Sequence, residues 1–383
     1  MSDFPKVTII TPSFNQGRFI EETIQSVLSQ AYPNLEYIVI DGGSTDETIS
    51  ILNKYNGKLK WISEKDNGQS DAINKGFKMA SGEIVAWLNS DDTYEPGAIK
   101  TAVDCFLENP QYVMVYGEGD ITDAQSNKLK RFEATQRFDL YALINVWDYI
   151  MQPTTFFKRD ALKLVGFLDE DLYWCMDWDL WIKLAMVGEV GYINKVIANS
   201  REYEETKTST GGWKRFKEIR NLMSKYSGKK FPYGYFLYGA STLYTESTNK
   251  FVKELAKQVL RIVQISIFKN LPVVYSDGWI GRKGEVIVPL YIKELEFLFE
   301  SVTSQVQTKI FVNGKLVEHL NINENTHYTF KFDENINGKK LFNEITFKNN
   351  KCVKPNKTSN STDSRNLSLR LSVVSKSLVK RSI

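Results

Sequence analysis

The chain is poor in the residues that staple small folds and bind metals. Its three cysteines, Cys105, Cys175 and Cys352, are odd in number and far apart, which argues against a disulfide framework and a thiolate zinc site. Its two histidines, His319 and His327, lie far downstream, so a general base in the N-terminal half is expected to be a carboxylate. No apolar run approaches the roughly 20 residues that cross a bilayer, and residues 1–6 lack the charged start and apolar stretch of a signal peptide. A cytoplasmic location is expected, with membrane contact limited to the inner face of the plasma membrane. A net charge of +3, with 25% of residues charged, names no partner, and nucleic acid is not expected. There is no Gly-x-Gly-x-x-Gly after the first apolar run and no Gly-x-x-x-x-Gly-Lys-Ser/Thr. A dinucleotide fold and a P-loop are therefore both unsupported.

What is present centres on Glu83 to Tyr94. Ile84 to Leu88 is an apolar run of strand length, closed by Asn89-Ser-Asp-Asp92, turn chemistry with two adjacent carboxylates. Adjacent carboxylates repel, and a divalent cation, Mg2+ or Mn2+, is the natural compensation. The plainer alternative is a solvated turn whose acids cap the next helix.

With 383 residues, two or more domains are expected. Val7 to Asn15 reads as a strand stopped at Pro12. Helical spacing follows at Ile20, Ile24, Val27 and Leu28, then a strand from Leu35 to Ile40 ending at Asp41. Ser44-Thr-Asp-Glu47 fits a capping box opening a further helix, Leu59 to Ser63 a third strand, and Ser70 to Ala80 another helix. Strands alternating with helices predict an α/β fold, Rossmann-like, with a mostly parallel sheet and helices on both faces. In such sheets ligands collect beyond the carboxyl ends of the strands, where Thr11 to Asn15, Asp41 to Thr45, Asp66 to Gln69 and Asp91 to Asp92 all fall.

The stretches Val7 to Asn15, Val39-Ile-Asp-Gly-Gly-Ser-Thr-Asp46, Glu64-Lys-Asp-Asn-Gly-Gln-Ser-Asp-Ala72 and Asn89-Ser-Asp-Asp92 closely resemble the family 2 glycosyltransferases, inverting nucleotide-sugar enzymes of the GT-A fold. The resemblance covers about residues 6–210. It implies that Thr11 and Pro12 border the nucleotide, Asp41 accepts from the base, Asp66 lies near base and ribose, and Asp91 and Asp92 form the Asp-x-Asp-like element. Asp92 would be the principal metal ligand. It implies a divalent cation as cofactor, a UDP-sugar as the favoured donor, and a glycan or lipid-linked acceptor, as in bacterial cell-surface polysaccharide synthesis.

Farther on, Val165 to Ala185 holds the counterpart of the family's Glu-Asp motif, with Met176 in place of the Glu and Asp177 as the catalytic base the resemblance implies. Asp177 at a helix entrance is otherwise an N-cap, and Asp179 or Asp169 would be the substitute base. Trp181 reads as core, while Trp174 and Trp178 are open to sugar stacking. Gln152, Trp178 and Arg201 are candidate acceptor or diphosphate contacts. Arg201 to Gly212 reads as a mobile loop in which Lys207 could also meet the diphosphate and Tyr203 stands where family members often carry His. The expected domains are 1–212 (GT-A catalytic), 213–270 (helical extension), 271–354 (a small all-β sandwich with hairpin signals at Asn313-Gly314 and Asn337-Gly338) and 355–383 (a disordered, basic, Ser-rich tail). Tyr275-Ser-Asp-Gly-Trp279 resembles a segment that opens β modules of some bacterial glycosyltransferases. A nucleotidyltransferase, which would need a Gly-rich basic first loop, and a non-catalytic carbohydrate-binding protein, which would have lost its acidic loops, are the competing classes.

Overall fold

The computed structural model describes residues 4–204, 206–207, 210–270, 279–280, 283–289, 292–301, 306–322, 326–332, 342–350 and 369–378. It divides into two compact units: Met1–Phe138 with Asp148–Leu222, and Asp139–Trp147 with Met223–Ile383. The helical extension expected over 213–270 is thus divided, residues 213–222 falling in the first unit and the rest in the same unit as the β module.

The first unit is built on a nine-stranded sheet. Strands β1 (Val7–Ser13), β2 (Leu35–Asp41), β3 (Lys60–Ser63) and β4 (Ile84–Trp87) pair in parallel in the order β3-β2-β1-β4, the Rossmann-like half expected from the alternation. Alternate residues of one strand face opposite layers. Val7 and Ile9 join a core with Ile20, Ile24 and Val27 of α1 (Gly17–Leu28), while Ile10 meets Gly76 of α3 (Gln69–Met79) so closely that a Cβ there would lie 2.4 Å from its side chain. Helices therefore cover both faces. The sheet becomes mixed beyond β4. There β5 (Thr93–Tyr94), β6 (Tyr112–Thr122), β7 (Lys128–Arg131), β8 (Thr155–Lys158) and β9 (Glu189–Arg201) extend it, with only β6 and β9 parallel among these added pairs.

Two local expectations need correction. β1 does not stop at Pro12 but runs to Ser13, in register with Asp41. Pairing with β4 ends at Ile10, whose carbonyl accepts from Leu88, so Pro12 has its missing N–H on a side where no strand remains. The predicted capping box is also absent. Helix α2 (Thr48–Lys54) begins without a side-chain cap from its preceding residue, and Asp46 instead accepts from Thr48 N and Gly17 N, tying the starts of α1 and α2 together.

In the second unit the aromatic stretch after Pro232 is itself helical, as α9 (Tyr233–Glu246), followed by α10 (Lys250–Asn270). Two four-stranded antiparallel sheets follow, β10-β17-β12-β15 and β11-β16-β13-β14, from β10 (Trp279–Ile280), β11 (Lys283–Pro289), β12 (Ile292–Ser301), β13 (Val306–Val312), β14 (Lys315–Ile322), β15 (Thr326–Lys331), β16 (Phe342–Asn349) and β17 (Leu369–Leu378). Phe297, Phe299, Ile310, Phe330 and Phe347 fill one core drawn from both sheets, so this is a sandwich. Asn313 and Gly314 both take positive φ, 53° and 81°, as a tight hairpin between β13 and β14 requires. Asn337-Gly338 and residues 275–278 lie outside the described residues. The tail assignment is corrected by β17, which pairs with β12 across nearly its whole length. Its alternation is hidden by Ser and Lys and by a register shift opposite Glu296/Phe297. Among the described residues no helix is long and apolar enough to cross a membrane.

Candidate active site

The carboxyl end of β4 delivers Asn89 to Asp92, and β9, paired with β5, brings Arg201 beside them. Asp92 is buried. Its Oδ1 accepts from Arg201 N at 3.0 Å, its Oδ2 from Asn89 Nδ2 at 3.2 Å, and its backbone oxygen from the Thr23 hydroxyl at 2.8 Å. Burial, and then the neighbouring Asp91, raise its pKa to about 8 against those donors. Asp91 is half-buried, accepts from the Tyr203 hydroxyl at 2.9 Å, and is likewise raised by burial. Tyr203, at the family's His position, therefore still engages the acidic pair, as a hydrogen-bond donor.

Arg201 corrects its sequence assignment as a diphosphate contact. Its side chain is 2% exposed and fully engaged, pairing with Glu22 at 2.8 Å and donating to Asp91 O, Asp123 O, Ala124 O and Ser126 Oγ over Phe19. It braces the acidic turn from behind.

The nucleotide-side residues are placed unevenly. Thr11 is fully buried with its hydroxyl 3.0 Å from Tyr37 OH, and Pro12 is buried too, so neither offers a side chain to a ligand in this structure. Asp41 is also fully buried, and Gly43 N, Ser44 N, Ser44 Oγ and Ser63 Oγ already donate to it. It shapes the Gly42 to Ser44 turn, and the base contact assigned to it from the resemblance would need this fully buried carboxylate to be uncovered. Asp66, half-buried, stands against that turn, where a Cβ on Gly42 would meet its Oδ2 at 2.6 Å. Asp66 is the acid open at this rim.

The second acidic locus is the start of α7 (Met176–Ala185). Asp177 is the second helical residue, with Cys175 as the N-cap, so the capping role is not its own. It is half-buried, its Oδ1 accepts from Trp178 N at 2.7 Å, and burial raises its pKa against the pull of that N–H, Lys207 and Arg215. Asp148 is its electrostatic partner, pushed well up first by burial and then by Asp177. Asp179, fully buried, pairs with Lys183 at 3.0 Å and cannot reach a substrate. Asp169, half-buried, accepts from Asp171 N and shapes its own loop. Trp178, 3% exposed, is core and not a stacking platform. The exposed ring here is Tyr173, with Lys207 Nζ 3.9 Å from its centroid.

A polar chain links the two loci. Lys207 Nζ donates to Gln69 Oε1 at 2.9 Å, Gln69 Nε2 to Asn89 Oδ1 at 2.9 Å, and Asn89 Nδ2 to both Asp92 Oδ2 and Gln152 Oε1, the latter at 3.0 Å. Gln152 is anchored in turn on Trp87 O at 2.9 Å. Gln69 and Asn89 lie within the recognised motifs but carried no role there, because amides have no charge signature. Glu218 of α8 (Gly212–Ser227) was missed altogether. Its carboxylate accepts from the successive N–H groups of Tyr173, Trp174 and Cys175 at 3.0, 2.6 and 2.7 Å, pinning the loop that delivers Asp177.

The model of the family described as glycosyl transferase family 2 matches residues 8–166. An uncharacterized glycosyltransferase of Rickettsia prowazekii is 30% identical over 238 residues, spanning 59% of this chain and 72% of that protein. The chain belongs to glycosyltransferase family 2. Among other relatives, Escherichia coli chondroitin synthase is 27% identical over 60% of this chain and 34% of its own length. Similar solved structures include S. aureus TarS (TM-score 0.48, 14% identity, 97% of this chain and 86% of that one). Another is the mannosyltransferase PcManGT from Pyrobaculum calidifontis with GDP-Man and Mn2+ (TM-score 0.47, 22% identity, 69% and 76%).

The acids of this family 2 site fit a divalent cation of the Mg2+ or Mn2+ kind. Among the described residues no three His, Cys, Asp or Glu side chains converge as an all-protein cage. Such ions need only one or two carboxylates, with phosphate and water completing the shell. Among the described residues, the cation that acts on the adjacent pair Asp91 and Asp92, both pushed up by burial, is the committed Arg201.

Proposed function

We propose that this chain is an inverting glycosyltransferase that moves a sugar from a nucleoside diphosphate donor, a UDP-sugar by preference, to a hydroxyl of a growing cell-surface polysaccharide. The observation that carries the reading is the pair of raised acidic loci, Asp91/Asp92 and Asp177/Asp148, joined by the Lys207-Gln69-Asn89 chain. Similarity to chondroitin synthases supports a polysaccharide product.

In this reading Asp92 and Asp91 would hold the divalent cation, which when bound offsets the charge growing on the diphosphate. Asp177, its basicity raised by burial, takes the proton from the acceptor hydroxyl, and that oxygen displaces the diphosphate from the anomeric carbon. One base and a direct displacement give inversion. Lys207, whose own pKa is lowered by burial, lies within reach of both loci and supplies positive charge to the departing diphosphate.

The test is release of nucleoside diphosphate from a panel of nucleotide sugars, with Mg2+ or Mn2+ and a polysaccharide acceptor. At least one donor should turn over. Absence of both turnover and binding across the panel, for folded protein, would overturn the proposal.

A further inference from the structure

The β unit carries a polar groove that sugar transfer does not use. Across the β11-β16-β13-β14 sheet, Lys283 is in register with Lys348, Lys348 with Lys309, and Lys309 with His319. Directly opposed residues of antiparallel strands share a face, and all four side chains are exposed, so they form one basic row across the whole sheet. Lys283 pairs with Glu285, but no carboxylate among the described residues pairs with Lys309 or Lys348. Opposed like charges destabilise a sheet, so folding gives no reason for the row.

Two residues along the same face comes a row of amides. Gln307 is in register with Asn321, and Gln307 N donates to Asn350 Oδ1 at 2.9 Å. On the other side of the basic row the Phe311 ring sits 4.5 Å from Lys348 Nζ. Lys309, Lys348, His319, Gln307, Asn321 and Asn350 line a groove of about 420 Å³.

We propose that this groove binds an anionic glycan, a sugar chain bearing carboxylate, sulfate or phosphate groups, through residues of the β unit alone. Lysine ammonium groups meet point anions, and amides offer donor and acceptor together, as sugar hydroxyls require. A nucleic acid strand would call for several aromatic stacking platforms, and beside the row the described Phe311 is half-buried against Lys348. A membrane surface would place apolar contacts along the basic row, and although Leu316 and Val317 are exposed at the hairpin end, the long flank is the amide row, which suits hydroxyls better than lipid. A chain held here stays at high effective concentration for repeated encounters with the enzyme. The proposal does not depend on the reading of the catalytic residues.

The experiment is calorimetric titration of the full chain with polygalacturonate and with heparin oligosaccharides. Neutral dextran, single-stranded DNA and anionic vesicles serve as the other arms, at low and high salt. Wild type should bind one or both anionic glycans saturably, and their relative affinity separates carboxylate from sulfate as the recognised group. The double variant Lys309→Gln/Lys348→Gln should weaken that binding about tenfold or more. Gln307→Ala/Asn321→Ala should weaken glycan binding while leaving any residual DNA or vesicle binding unmoved. All four side chains are exposed, so both variants should keep the wild-type melting temperature and donor turnover. Protection of Lys309 and Lys348 from acetylation by bound glycan, read by mass spectrometry, tests the site without any variant. No saturable binding of either anionic glycan, tighter binding of DNA or vesicles, or an amide variant without effect would each overturn the proposal.

Discussion

Removing the Glu218 carboxylate tests whether α8 sets the geometry of the base. Three successive N–H groups, of Tyr173, Trp174 and Cys175, converge on it at 2.6 to 3.0 Å, and Asp177 follows two residues later. Hydrogen bonds to a charged group are each worth about 1.5–3 kcal/mol, but the exposed Tyr173 end regains water. The unrecovered loss falls on Trp174 and the buried Cys175, about 3 kcal/mol for Glu218→Ala. For a unit of this size each kcal/mol moves Tm by about 2–4 °C, so a fall of about 6–12 °C is expected. Glu218→Gln keeps one acceptor oxygen and should lose about 1 kcal/mol. A loosened loop misplaces Asp177, and kcat should drop about 10- to 100-fold in Glu218→Ala. Donor affinity should hold, because Arg201 and Asn89 fix the acidic turn independently. Differential scanning calorimetry, donor titration and turnover measure the three quantities. Wild-type Tm and kcat in Glu218→Ala would refute the reasoning, and a loss of donor affinity equal to the loss of kcat would refute the division between the two loci.

Asp92→Asn, or excess chelator on the wild type, should cut nucleotide-sugar turnover by about 100-fold or more, and unchanged turnover in chelator would remove the cation from the account. Arg201→Lys should lower Tm by several degrees, since a lysine cannot span Glu22, Asp91 O and the Asp123 to Ser126 loop at once. A stable variant would contradict the bracing role. Glu36 gives a pH signature. Burial alone would raise its pKa, but the Ser81 N–H, Lys60 and the Thr8 and Ser81 hydroxyls outweigh it and bring the value down to about 2. A depressed carboxylate stabilises above its unfolded pKa and loses that contribution as pH falls toward 2. Glu36→Gln should therefore lower Tm at pH 7, by about 2 kcal/mol in stability, and converge with wild type in strong acid. A pH-independent difference would count against the linkage.

The parallel half of the sheet was legible because Ile84 to Leu88 is an unbroken apolar run and Tyr37 to Ile40 another, each ending near an acid, a pattern that burial on two faces demands. The acidic turn was read in the same way, as charge where an apolar run ends, whereas Asp177 was singled out only by the resemblance of Val165 to Ala185 to the family's motif. What the sequence hid was commitment. Arg201 reads as a free cation until the fold brings Glu22, 179 positions away, against it. Asp41 reads as a ligand acceptor until Ser63 and the Gly43–Ser44 turn close on it. Trp178 could not be told from Tyr173 by composition, because which ring faces solvent depends on the helix phase that begins at Met176. Glu218 and Asp148 are single acids without a local motif, visible only once long-range packing places them. The strand Leu369–Leu378 was masked by Ser and Lys, which sit readily in a strand when a partner such as β12 supplies the pairing.

Turnover of Asp177→Asn, measured beside its nucleotide-sugar affinity and melting temperature, tests the central claim most directly. Asn keeps the shape and loses the proton acceptor, and Cys175 rather than Asp177 is the N-cap, so fold and donor binding should persist. Transfer should fall by about 10² to 10⁴-fold, the usual worth of a general base. Turnover near wild type would contradict the account and move the proton acceptor to the neighbouring Asp148.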